Sequence, residues 1–221
     1  MSITYKALAA LLAYPDAELV AALPEIRAVV EADRSLPRAE RAALAALVEE
    51  LGRIDLIDAQ ERYVALFDRG RATSLHLFEH VHGESRDRGQ AMVDLKSEYE
   101  RAGLRLREGE LPDYLPALLE FLSLQPHDVA EVMLAESAHL LRKVGNALAA
   151  RGSSYAAVLA AALASVSERG LDEKPAVEPD KPIDEEWAEA PVVFGPGAAP
   201  SCGAGASAAS VVKFMPRPAA R

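Results

Sequence analysis

The chain has 221 residues, half of them hydrophobic, with 5% aromatics and a formal net charge of -10. That length admits one domain with a tail or two small domains, and the apolar fraction is enough for a real core. The acidic balance argues against sequence-independent nucleic-acid binding, which needs excess Lys and Arg to displace counterions, and it suits a basic or neutral partner. No apolar run approaches the roughly 20 residues of a transmembrane segment. The single cysteine, Cys202, leaves no intrachain disulfide and agrees with a reducing, cytoplasmic setting.

Ala and Leu dominate, which favours helices over strands. The first element is a helix ending near Pro15. Its run Ala7–Ala13 is at the short limit for a signal peptide, carries a single positive charge and ends without an A-x-A site, while Tyr5, Leu8 and Leu12 share one helical stripe and read as core. A second helix spans about Asp16 to Ala32, with Pro24 kinking or splitting it. A third starts near Pro37 and ends by Gly52, and a fourth begins after Asp55, carrying Tyr63, Leu66 and Phe67 at i, i+3, i+4 spacing. Asp68 to Arg71 reads as a turn. Thr73 or Ser74 is placed to cap a fifth helix that carries histidines and stops at Gly83. Asp87 is placed to cap a sixth, running to Gly103. Pro112 opens a seventh, and Pro126 separates it from a long eighth ending at Gly152. Ser153 or Ser154 caps a ninth, ending near Gly170.

After Asp172 proline and glycine become frequent, and residues 196–210 are small-residue, low-complexity sequence. Such sequence buries too little apolar surface to offset its ordering entropy. The expectation is therefore an all-α protein: a single helical domain of about nine helices over residues 1–172, and a disordered tail over 173–221. Within the tail, the acidic segment around Trp187 and Phe194 is the part able to dock locally.

The densest polar chemistry lies between Glu61 and Tyr99. Three of the five histidines fall here, His76, His80 and His82, and two R-x-R pairs flank them, Arg69/Arg71 and Arg86/Arg88. Asp68, Glu79, Glu84 and Asp87 are interleaved. On a helix, residues 75–82 put Leu75, Leu77, Phe78 and Val81 on one side and His76, Glu79 and His80 on the other. That polar stripe is open to several readings: a solvated face, a metal site, an acid/base site, a recognition surface, or a charge network locking the turns. For a metal, His76 and His80 have i, i+4 spacing and Glu79 or Glu84 is near. The order H-L-F-E-H is nevertheless not the helical zinc motif H-E-x-x-H, and no second ligand helix stands out, so no metal is expected. No nucleophile elbow or phosphate loop is present, and no catalytic residue is assigned. His139, among Leu140, Leu141 and Val144, reads as a core or boundary histidine. A small metal-dependent hydrolase using His76 and His80, and a helical adaptor for an unrelated client, are the competing function classes.

Residues Tyr63–Arg71 (YVALFDRGR) and Ser74–Met92 (SLHLFEHVHGESRDRGQAM) resemble the respiratory nitrate reductase assembly chaperones of the NarJ/NarW type, within the TorD- and DmsD-like molybdoenzyme chaperone group. A weaker likeness continues through Leu111–Pro116 and Glu120–Leu122, and the order of helices fits. The resemblance implies a cytoplasmic, non-enzymatic chaperone that binds the apo catalytic (alpha) subunit of nitrate reductase through its N-terminal peptide. It implies that the chaperone enables molybdenum cofactor insertion and is absent from the finished enzyme. No cofactor would be bound stably; the molybdenum cofactor would be handled through the client, with cofactor-biosynthesis proteins as further partners. The residues it places in client binding are Tyr63, Phe67, Asp68, Arg69, Arg71, His76, Glu79, His80, His82, Glu84, Arg86, Asp87, Arg88 and Met92. Spacing alone puts Tyr63, Leu66 and Phe67 in the core first.

Overall fold

The computed structural model describes residues 2–81 and 86–172, with the side chains of Arg86 and Asp87 outside that set. The expected tail, with Trp187, Phe194 and Cys202, lies outside the described residues. Among those described there are nine α-helices and two short 3-10 turns: α1 Ile3–Leu12, α2 Ala17–Ala32, α3 Arg38–Arg53, α4 Leu56–Phe67, α5 Arg86–Arg101, α6 Leu115–Leu124, α7 His127–Glu136, α8 Ala138–Ala150 and α9 Ala156–Ser165, with the 3-10 turns at Arg71–Thr73 and Leu77–His80. No strand forms among them, and the one bridge pairs His76 with Tyr114.

Local chemistry sets several boundaries. The Asp16 carboxylate accepts from the Leu19 amide at 2.8 Å and starts α2. The Asp55 carboxylate accepts from the Ile57 amide at 2.9 Å and starts α4. Each such cap satisfies an amide that the helix leaves unpaired, contributing about 1 kcal/mol. The helix α2 runs through Pro24 on its exposed side. Gly103, at φ 81°, supplies the left-handed residue that closes α5, with the Leu104 amide bonded back to the Tyr99 carbonyl at 2.9 Å.

Helix α9 is apolar on all sides and is the buried helix, as a helix without a polar face must be. Val158, Leu159, Ala161 and Leu163 are fully enclosed, and α9 packs against α8, α3, α1 and α7. The stripe Tyr5, Leu8 and Leu12 expected on α1 is buried. That helix lies against α6, tied at one end by the Ser2 amide to the Ser123 carbonyl at 3.1 Å. Each fully buried leucine contributes about 1.5–3 kcal/mol of transfer free energy. After α9 the chain folds back over α8 instead of continuing as helix to Gly170. Arg142 pairs with Glu168 at 3.1 Å, Asn146 exchanges two hydrogen bonds with Asp172, and Leu171 lies over Gly145.

Four expectations are corrected. The long eighth helix is two, α7 and α8, broken at Ser137, whose carbonyl accepts the Leu140 and Leu141 amides and so begins a new helix. Helix α6 opens at Leu115, not Pro112, because the Leu115 amide is first drawn to the Leu75 carbonyl at 2.9 Å. Asp87 lies within α5, which already includes Arg86, so it is not the residue before the helix. His139 is exposed, not a core or boundary residue.

The fifth correction bears on the site. Residues 74–81 do not form the histidine-bearing α-helix. They are an extended residue, His76, followed by the 3-10 turn Leu77–His80. Two amides that a helix would have used internally are taken by a distant residue. The Leu77 amide donates to the Asp113 carbonyl at 3.0 Å, and the Phe78 amide donates to the Asp113 carboxylate, also at 3.0 Å. Tertiary bonds thus override the helical spacing of the apolar side chains. In consequence Val81, expected on the buried side, is exposed.

Candidate functional site

An open cavity of about 320 Å³ lies where the end of α4 faces the segments around His76 and Tyr114. Tyr63, Phe67 and Asp68 from α4 and its cap form one wall. Leu75 and His76 form a second. Gly109, Glu110, Leu111 and Tyr114, in the stretch before α6, form a third, and Tyr14, from the α1–α2 turn, closes a corner.

The α4 wall is an aromatic stack. Tyr63 lies 4.6 Å from Phe67 and 5.5 Å edge-on from Tyr14, ring centre to centre, and Phe67 lies 5.2 Å from Tyr155. Such contacts add about 0.5–1.5 kcal/mol each beyond area burial. The Tyr63 hydroxyl donates to the Leu12 carbonyl at 2.8 Å. Its only proton is then used, so in the 2.9 Å contact with Tyr114 the Tyr114 hydroxyl is the donor. Burial, followed by the Tyr114 hydroxyl and more distantly Tyr155 and Asp68, pushes the Tyr63 phenol far above its usual range. Tyr63 therefore stays protonated and ties the groove floor to α1.

The facing wall has no regular secondary structure and is held through Asp113, which is wholly enclosed. Its carboxylate accepts from the Phe78 amide and lies 3.3 Å from His76 Nδ1. The Asp113 hydrogen bond raises the His76 pKa against an opposing effect of burial. His80 is tuned the other way. Burial lowers its pKa, only partly offset by the bond its Nε2–H donates to the Ser74 carbonyl at 2.9 Å. Glu79 accepts from the Ser74 hydroxyl at 2.7 Å and pairs with Arg88 of α5 at 3.5 Å.

Of the expected client-binding residues, the fold brings Tyr63, Phe67, Asp68 and His76 to the cavity itself. Glu79, His80 and Arg88 are half-buried beside it in the Ser74 network, and Met92 is half-buried on α5. Arg69 and Arg71 are exposed and make no ion pair with a described carboxylate. Of the charge network considered for the turns, Arg88–Glu79 is the pair that forms among the described residues. His82 and Glu84, and the side chains of Arg86 and Asp87, lie outside them. Among the described residues no three His, Cys, Asp or Glu side chains gather in a way that could hold a metal ion. None of the described helices is long and apolar enough to cross a membrane.

Sequence reasoning assigned no site role to Tyr14, Leu75, Gly109, Glu110, Leu111 or Tyr114. The available signal was an aromatic beside a turn-forming proline, in Tyr14-Pro15 and Pro112-Asp113-Tyr114, within a chain otherwise poor in aromatics.

The groove is open and aromatic-walled, and His76 and His80 are each held by an acceptor of the scaffold. The profile of the family described as the nitrate reductase delta subunit matches residues 33–161, and the chain belongs to that family. It is 44% identical over 193 residues to the nitrate reductase molybdenum cofactor assembly chaperone NarJ of Escherichia coli K12, covering 83% of this chain and 81% of that one. It is 43% identical over 158 residues to the probable chaperone NarW of the same organism, covering 72% and 65%. To the probable NarJ chaperone of Bacillus subtilis it is 33% identical over 171 residues, covering 77% and 92%.

Proposed function

We propose that this chain is a cytoplasmic, non-enzymatic chaperone of nitrate reductase. It binds the apo catalytic subunit through that subunit's N-terminal peptide, and keeps it competent until the molybdenum cofactor is inserted. The chaperone then leaves. The cofactor is cargo handled through the client and not a resident group of this chain.

The observation that carries this reading is the aromatic-walled groove at the end of α4, nearly all of whose lining lies inside the segment matched to the family. The names of the similar proteins support the client and the cargo. The physical fit is direct. A peptide helix presents apolar side chains at i, i+3, i+4 to a groove of this kind, and charges at the rim set its direction. Glu79, Arg88, Arg69 and Arg71 are the rim charges proposed here. Release requires modest affinity, which a cavity this small and partly polar provides.

The test is calorimetric titration of the purified chain with the client's N-terminal peptide, alongside molybdenum content of the reductase in a strain lacking the chain. A saturable complex and a cofactor-poor reductase are expected. No complex, together with a fully loaded reductase in the deletion strain, would overturn the reading.

A further inference from the structure

Four aromatic rings and two carboxylates, Asp68 and Glu110, line the cavity, and among the described residues no lysine or arginine does. Neither carboxylate has a counter-cation among the described residues. Asp68 is exposed at the end of α4. Glu110 is half-buried, and its carboxylate is met by the Arg107 backbone amide at 3.3 Å, not by a charged side chain. His76, the histidine of the lining, faces Asp113 at 3.3 Å, so its charge, when present, is balanced inside the wall. Burial, opposed by the Tyr63 hydrogen bond, raises the Tyr114 phenol, and the charges of Glu110 and Asp68 add to that rise. Tyr14, 49% exposed, leaves ring surface open toward the mouth.

Ring faces attract a cation through their quadrupole, and uncompensated carboxylates add to that attraction. A long aliphatic stem ending in a charge matches such a site, its methylenes on the rings and its head at the acids. We propose that this cavity is the seat of one lysine or arginine side chain of the client peptide. The proposal deepens the chaperone reading and rests on it for the identity of the peptide. The cation seat itself can be tested without any client.

The first arm is an NMR titration of the full chain at pH 8 with phenethylguanidinium and with its neutral isostere phenethylurea, following the ring signals of Tyr14, Tyr63 and Tyr114. The guanidinium should bind at least fivefold more tightly, and Asp68→Asn combined with Glu110→Gln should erase that preference. Asp68→Asn alone, at an exposed position, should reduce it by about half on a logarithmic scale, which covers loss of folding in the double variant. Equal binding of the two probes, or a preference that survives both substitutions, would overturn the proposal.

The second arm replaces each Lys and Arg of the client's N-terminal peptide singly by norleucine. One replacement should weaken binding about tenfold on the parent chain and have no effect on the double variant, while acetylating the peptide's N-terminus should change little. Uniformly small losses, or a loss confined to acetylation, would overturn the side-chain seat. If the guanidinium preference holds but no client peptide binds, the chaperone reading fails and the cation seat stands.

Discussion

Asp113→Asn tests the account of the irregular groove wall. The carboxylate is wholly buried, accepts from the Phe78 amide at 3.0 Å and faces His76 Nδ1 at 3.3 Å. Hydrogen bonds to a charged acceptor are worth about 1.5–3 kcal/mol, and neutral ones about 0.5–1.5. Converting two charged contacts to neutral ones should cost about 2 kcal/mol. Asp113→Ala, which also leaves the Phe78 amide bare, should cost about 3–5 kcal/mol. For a folded unit of this size, 2 kcal/mol corresponds to a melting shift of about 4–8 °C.

The pH dependence fixes the cause. The His76 pKa is raised in the folded state. The stability from its ionic contact is therefore fully present below the unfolded value near ~6.5, and is lost as pH rises through the folded value. The gap between parent and Asn variant should be wider at pH 6 than at pH 9. Thermal melts at both pH values, with the His76 ring followed by NMR, provide the assay. A variant within 1 °C of the parent at both pH values (roughly a quarter to a half of a kcal/mol), or a gap that widens toward pH 9, would refute the role given to Asp113.

Tyr63→Phe removes the bonds to the Leu12 carbonyl and the Tyr114 hydroxyl while keeping the aromatic stack. It should cost about 1–3 kcal/mol in chemical denaturation, since a buried carbonyl loses its donor. Glu79→Ala removes a partly exposed pair with Arg88 and the Ser74 bond. It should cost about 1 kcal/mol of stability but lower client binding several-fold, read as a melt beside a peptide titration; a melting loss matching the binding loss would make Glu79 scaffold. Gly145→Ala builds a methyl 2.5 Å from the Leu171 side chain and 3.0 Å from Leu159 Cβ. Overpacking of about 1–3 kcal/mol should exceed the helix-propensity gain of about 1 kcal/mol. Limited proteolysis should then cut earlier at residues 166–172.

The sequence was most legible where one element's own chemistry decides. Asp16 and Asp55 mark helix starts because a carboxylate two or three residues ahead of an amide caps it locally, and Tyr5, Leu8 and Leu12 mark a buried stripe because periodicity is local too. It was least legible where a partner far along the chain decides. Nothing near Phe78 announces that its amide belongs to Asp113, 35 residues on. Leu75, Leu77, Phe78 and Val81 carry a helical pattern that the tertiary bonds overrule. The same distance effect hid half the groove. Tyr63 and Phe67 were named from the family likeness, but Tyr114 and Glu110 reach them only after the chain has folded back along α5 and into α6.

The α4 wall is a regular helix capped by Asp55, stacked through Phe67 on Tyr155 and bonded through Tyr63 to α1. Its position is set by many independent contacts. The opposite wall is two irregular segments, 74–76 and 109–114, whose spacing rests on the Asp113 bonds and on the Leu115–Leu75 backbone bond at 2.9 Å. Buried bonds of this kind persist as a set, because losing one leaves its neighbours unsatisfied in a low-dielectric interior. The width of the groove therefore depends chiefly on a residue that does not line it. Asp113 variants should weaken a bound peptide without touching it, and the Tyr63–Tyr114 hydrogen bond, which joins the two walls, should report that opening first.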